Sequence, residues 1–93
     1  ESASDVFAQL ASDNQTIRMT ATDRLVDHFS TVSEPLAQAG LQNSHETVRA
    51  HSLWILQRLE KRTDAQLAAA VEDSAELVRI HAFRVLLDRS EYS

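Results

Sequence analysis

The sequence predicts an all-α fold, and three observations predict it: turn-forming Gly and Pro are almost missing, three segments repeat about every 31 residues, and each repeat carries polar capping residues ahead of an apolar stripe. Ninety-three residues contain one Gly, one Pro and no Cys, with 43% apolar side chains. Without turn formers a meander of hairpins is hard to build, which argues against a β-sandwich or barrel. A chain of this length forms one domain and has to bury much of its apolar surface to be stable.

The repeat appears when Leu10-Ala-Ser-Asp-Asn-Gln-Thr-Ile17-Arg18 is set over Leu41-Gln-Asn-Ser-His-Glu-Thr-Val48-Arg49 and Val71-Glu-Asp-Ser-Ala-Glu-Leu-Val78-Arg79. The periods are 31 and 30. From Ile17, Val48 and Val78, the residues four further on are Ala21, Ser52 and Ala82, and those eight further on are Leu25, Leu56 and Leu86. That spacing is one stripe of a helix. Counting back, Leu10, Leu41 and Val71, preceded by Val6, Ala37 and Leu67, mark a shorter helix ahead of each long one.

The elements follow in order. Short helices are expected near 4–11, 34–42 and 64–71, and long helices near 13–29, 44–61 and 74–90. Ser12, Asn43 and Asp73 are good N-cap residues, and Gln15, Glu46 and Glu76 stand three positions later, so each long helix is expected to open with a capping box. Ser33-Glu34-Pro35 is expected to start the second short helix, with Pro in the first turn, where its missing N–H is dispensable. Thr63 with Gln66 does the same for the third. Connections of two to four residues force successive helices to pack antiparallel.

This pattern of Leu, a polar cap, Val-Arg, then Ala and Leu at four-residue steps resembles the HEAT repeat, in the short bacterial form also found in phycobilin lyase subunits. The resemblance covers the whole chain as three repeats, about 1–31, 32–62 and 63–93. It departs from the family at Ser52, at Thr22 and at the turn acid, which survives only as Asp73. The resemblance implies three helical hairpins stacked as a short right-handed α-solenoid, with the second helix of each pair lining the concave side. It also implies that Arg18, Arg49 and Arg79 are spine residues reaching a turn acid or carbonyl of a neighbouring repeat, with Asp73 and Glu46 as partners. With Ser12, Asn43 and Asp73 they form the expected structural spine.

On the concave face the register places Thr20, His51 and His81, then Asp23, Trp54 and Arg84, then Asp27, Arg58 and Asp88. Equivalent residues of adjacent repeats are expected about 10 Å apart, the spacing of packed helices. The candidate partner-binding residues are therefore His51, Trp54, Arg58, His81 and Arg84. A Trp beside Arg is the usual make-up of an interface hot spot; the alternative is that Trp54 covers the seam between repeats. His51 and His81 have no third ligand at metal-site spacing, and His28 and His45 fall on other faces. No nucleophile–base group and no Gly-rich phosphate loop can be assembled, so no catalysis, metal or cofactor is expected.

Nine Lys or Arg against fourteen Asp or Glu give a net charge of −5, divided as −3, +1 and −3 over the three repeats. Nucleic acid calls for a concentrated positive surface, so it is not an expected partner. No apolar run reaches the roughly 18–20 residues that span a bilayer. The start Glu-Ser-Ala-Ser has neither initiator Met nor targeting segment, so a piece of a longer chain is expected and no compartment is indicated. Ile80 and Leu87 place apolar side chains where the middle repeat has Ala50 and Gln57, and Met19 and Val26 do the same on the first long helix. These residues either complete contacts between long helices or leave the third helix uncapped, open to a further repeat or to self-association. The expected function is a non-catalytic protein-interaction or scaffolding module, with an auxiliary enzyme domain, such as a bilin-lyase-like factor, as the alternative.

Overall fold

A computed structural model describes the backbone of residues 1–91 and the side chains of residues 1–88. Its elements are α1 (Ala3–Ala8), a 3-10 turn (Gln9–Ala11), α2 (Gln15–His28), α3 (Ser30–Gly40), α4 (Glu46–Arg58), α5 (Asp64–Ala70) and α6 (Glu76–Glu91). No strand occurs among the described residues. The long helices pack in sequence, α2 on α4 and α4 on α6, while α1 lies on α2, α3 on α4 and α5 on α6. The extents are 33 × 26 × 22 Å.

Each long helix starts two residues later than expected, for one physical reason repeated three times. Ser12 Oγ accepts the amide of Asn14 at 3.1 Å, Asn43 Oδ1 that of His45 at 2.8 Å, and Asp73 Oδ1 that of Ala75 at 2.8 Å. Short polar side chains bond readily to the amide two residues on and so make a turn rather than a cap. The first helical amide bonds then run from Arg18 to Asn14 O, Arg49 to His45 O and Arg79 to Ala75 O. Asn14 and His45 are the N-caps of α2 and α4. Gln15, Glu46 and Glu76 are consequently first-turn residues and close no capping box. In that position the two glutamates complement the helix dipole. Capping boxes do occur at Ser2–Asp5, opening α1, and at the expected Thr63–Gln66, opening α5.

The second short helix also departs from expectation. It begins at Ser30, after the single linking residue Phe29, so Ser33 and Pro35 lie inside it. Ser33 is fully buried and its Oγ donates to Leu25 O at 2.7 Å, serving one of the carbonyls left over at the end of α2. Thr47 Oγ1 likewise donates to Leu10 O in the 3-10 turn at 2.6 Å.

Helix α4 is the centre of the core and is buried on several faces. Val48, Ile55 and Leu56 join Val6, Leu10, Ala21, Leu25 and Ala37 from the N-terminal half. Ala50 and Leu53 join Leu67, Ala70, Val78, Ala82 and Val85 from the C-terminal half. The stripe expected to be buried fails at both ends, where Ile17 is 42% and Leu86 40% exposed. Both lie on outer long helices, whereas α4 has neighbours on both sides. The one glycine sits where α3 crosses α4: a Cβ at Gly40 would overlap Ser52 Oγ and lie 2.7 Å from Phe7 Cζ. Ser52 Oγ is buried there and has no hydrogen-bond partner among the described residues. At α4's other end Glu60 takes φ 60°, with Lys61 N bonded to Leu56 O and Glu60 N to Gln57 O. That is a Schellman ending with Glu in the position that favours Gly.

Candidate partner-binding cleft

The three repeat-register arginines share one geometry. Nη1 of Arg18, Arg49 and Arg79 donates to the carbonyl six residues back, at Ser12 (2.7 Å), Asn43 (2.9 Å) and Asp73 (2.7 Å). Each therefore closes the turn of its own repeat. Two also reach the next repeat: Arg49 grips Asp73 through Nε (3.0 Å) and Nη2 (2.9 Å), and Arg18 Nε donates to His51 Nε2 at 3.3 Å. Glu46 makes no hydrogen bond to Arg49; it only adds a favourable charge nearby. The Arg49 hydrogen bonds hold the Asp73 carboxyl below its ordinary range.

The three long helices enclose a cleft of about 270 Å³. Gln15, Met19 and Thr22 come from α2, His51, Trp54 and Arg58 from α4, and His81 and Arg84 from α6. All five residues singled out from the sequence line it. Their roles differ, however. His51 does not project from the face but lies at its floor, 2% exposed.

The hydrogen bonds fix the proton on each imidazole. Arg18 Nε–H can only donate, so His51 Nε2 accepts and the proton sits on Nδ1. From there it is given to Thr22 Oγ1 at 3.2 Å, whose own hydroxyl donates to Arg18 O at 3.0 Å. Thr22 is thus a buried polar residue with a purpose, where repeats two and three carry Leu53 and Phe83. Trp54 Nε1–H can likewise only donate, so His81 Nδ1 accepts at 3.0 Å and the proton stands on Nε2. The two rings lie 5.7 Å apart, tilted by 47°. Both are held neutral. Burial, then the charges of His81 and Arg18, press His51 down to about 4, and burial, then Arg84 and Arg18, lower His81.

A metal ion needs an unprotonated ring nitrogen with a free lone pair. Here both such nitrogens are engaged, by Arg18 and by Trp54. Among the described residues no group of three or more His, Asp or Glu side chains is placed to hold a metal, and no helix is long and apolar enough to cross a membrane.

The cations of the cleft are not equivalent. Arg58 is tied to α2, with Nη1 2.6 Å from Asp23 Oδ1 and Nη2 3.9 Å from Asp27 Oδ1. Arg84 makes no hydrogen bond or ion pair among the described residues. Thr20 is exposed and lies outside the cleft, and Asp88 accepts from Gln57 Nε2 at 3.1 Å. The cleft therefore presents the half-buried Trp54 and the 47%-exposed Met19 beside two donors with spare capacity, Arg84 and His81 Nε2–H.

A larger groove of about 610 Å³ runs along the turns of the second and third repeats, and the charged groups lining it, Arg49 and Asp73, are bonded to each other. A third, of about 490 Å³ between α1 and α3, is lined by Ala3, Phe29, Val32 and Leu36 and carries no charged side chain. Of these three, the Trp54 cleft is the one that joins an aromatic anchor to a cation without an ion pair among the described residues. Searches against protein-family models, curated proteins and solved structures find no match to this chain.

Proposed function

We propose that the chain is a short HEAT-like α-solenoid segment that acts as a non-catalytic protein-binding module, holding its partner in the cleft centred on Trp54. The observation that carries this reading is the pair of hydrogen-bonded histidines at the cleft. Trp54 is fixed by His81, and His51 by Arg18 and Thr22, before any partner arrives. An anchor held in this way loses little side-chain entropy on binding, which favours affinity. The solenoid part of the reading is supported by the three equivalent Arg-to-turn bonds and by the sequential packing of α2, α4 and α6.

The chemistry of the cleft constrains the partner. Arg84 and His81 Nε2–H are donors, so the partner supplies acceptors, either a carboxylate or free backbone carbonyls. Met19 and Trp54 ask for an apolar side chain next to them. A partner segment with an acidic residue flanking an apolar one fits both demands.

The test is affinity isolation from the source cells with the intact chain and with Trp54→Ala and Arg84→Glu, each first checked for unchanged helicity. A protein retained by the intact chain and lost with both variants supports the reading. A partner retained equally by all three removes the cleft from the binding surface.

A further inference from the structure

The outer face of α6 carries large apolar side chains that are left exposed. The repeat register sets Ala50, Leu53 and Gln57 of α4 over Ile80, Phe83 and Leu87 of α6. On α4 those positions meet α6: Ala50 and Leu53 are fully buried in the cluster with Val78, Ala82 and Val85, and Gln57 donates to Asp88. On α6 the equivalents are 41%, 55% and 67% exposed, and all three are apolar.

The spine repeats the asymmetry. Arg49 uses Nη1 for its own turn and gives Nε and Nη2 to Asp73 of the following hairpin. Arg79 uses Nη1 identically, on Asp73 O, and its Nε and Nη2 have no hydrogen-bond partner among the described residues. The apolar surface and the open guanidinium fork thus repeat on α6 the half of the α4–α6 interface that α4 supplies.

We propose that this face docks a further helical hairpin whose turn carries a carboxylate at the position Asp73 holds, with that carboxylate taken bidentately by Arg79 and Phe83 as the central apolar contact. A second copy of this chain added head to tail is a poor occupant. Its leading face on α2 would offer Ile17, Thr20, Arg24 and Asp27 where α6 offers Val78, His81, Val85 and Asp88, so the apolar Ile17 is matched but a charged Arg24 stands in place of the buried Val85, and its turn residue is Ser12 rather than an acid. Arg24 there is already paired with Glu1 at 2.6 Å. The proposal stands apart from the Trp54 cleft, since Ile80, Phe83 and Leu87 do not line it.

The experiment is a tandem duplication of residues 63–92, which appends one hairpin in register and supplies an Asp at the required turn. Amide exchange of α6 and urea unfolding are compared between the 93-residue chain and the extended chain, each with and without Phe83→Glu in the original α6. Docking slows exchange in α6 at least about tenfold, because a solenoid repeat is stabilised by its neighbour's interface, and unfolding stays a single transition. Phe83→Glu then lowers the urea midpoint of the extended chain while leaving that of the 93-residue chain unchanged, and Arg79→Gln does the same to a smaller degree. Three outcomes overturn the proposal. One is unchanged α6 exchange with the added hairpin unfolded; another is an equal effect of Phe83→Glu in both chains; the third is concentration-dependent association of the 93-residue chain that Phe83→Glu abolishes, which makes a second copy the occupant.

Discussion

Acid weakens this fold as soon as pH falls below about 6.5, because His51 is buried as the neutral ring. Its pKa falls from an ordinary value near 6.5 to about 4 in the folded state. A depressed folded pKa means the unfolded chain binds the proton more tightly. Stability from this group is therefore complete above the unfolded pKa and is lost as pH falls from about 6.5 toward 4. Across that window each pH unit costs about 1.4 kcal/mol, so lowering the pH from neutral to about 5 removes about 2 kcal/mol. His81, also lowered, adds a loss of the same sign. The assay is urea unfolding followed by Trp54 fluorescence and far-UV circular dichroism at half-unit pH steps. His51→Gln, neutral throughout, flattens most of the slope between pH 6.5 and 5, although it is less stable at neutral pH. A stability constant over that range, or a slope that survives in His51→Gln, refutes the assignment of His51 as a buried neutral hydrogen-bond hub.

Other consequences follow from single contacts. Ser52→Ala removes a buried hydroxyl with no partner among the described residues and gives the middle repeat the residue found at Ala21 and Ala82, so the urea midpoint rises by the equivalent of about 1 kcal/mol. Glu60→Gly relieves a left-handed backbone position and raises stability by roughly 0.5–1 kcal/mol, read from the thermal midpoint. Arg49→Gln breaks the bidentate grip on Asp73 and two turn-carbonyl bonds, at a cost of about 1–3 kcal/mol in chemical unfolding. It should also slacken exchange protection at the start of α6.

How much of this was legible in the sequence depends on whether a residue's role was local or shared. The long stripes were legible, because Leu25, Leu56, Ala21 and Ala82 repeat at helical spacing and bury as that spacing requires. The short helices were legible for the same reason, except for the start of the second. A Ser next to Glu-Pro reads as a cap, but Ser33 instead caps the end of the preceding helix from inside its own, and that depends on a one-residue link that no local signal marks. The starts of α2, α4 and α6 slipped by two residues because a side chain that can cap can equally close a two-residue turn. The extra signal was available in the arginine six residues on, which binds the same turn's carbonyl in all three repeats.

The candidate site shows the same division. Register alone placed His51, Trp54, Arg58, His81 and Arg84 on one face. It did not reveal that His51 lies underneath that face, since its burial comes from the neighbouring helices and from Thr22, whose polarity looked like a departure from the repeat pattern. Nor did it separate Arg58, engaged by two acids of α2, from Arg84, which has no acid partner among the described residues.

The most direct test of the account is two-dimensional NMR of the labelled chain titrated with the partner isolated on it. The account predicts that the Trp54 indole N–H signal shifts strongly, together with amides of Met19, Thr22, His81 and Arg84, while α1 and α3 stay unmoved. Shifts confined to α1 and α3, with the Trp54 indole signal unchanged, contradict it.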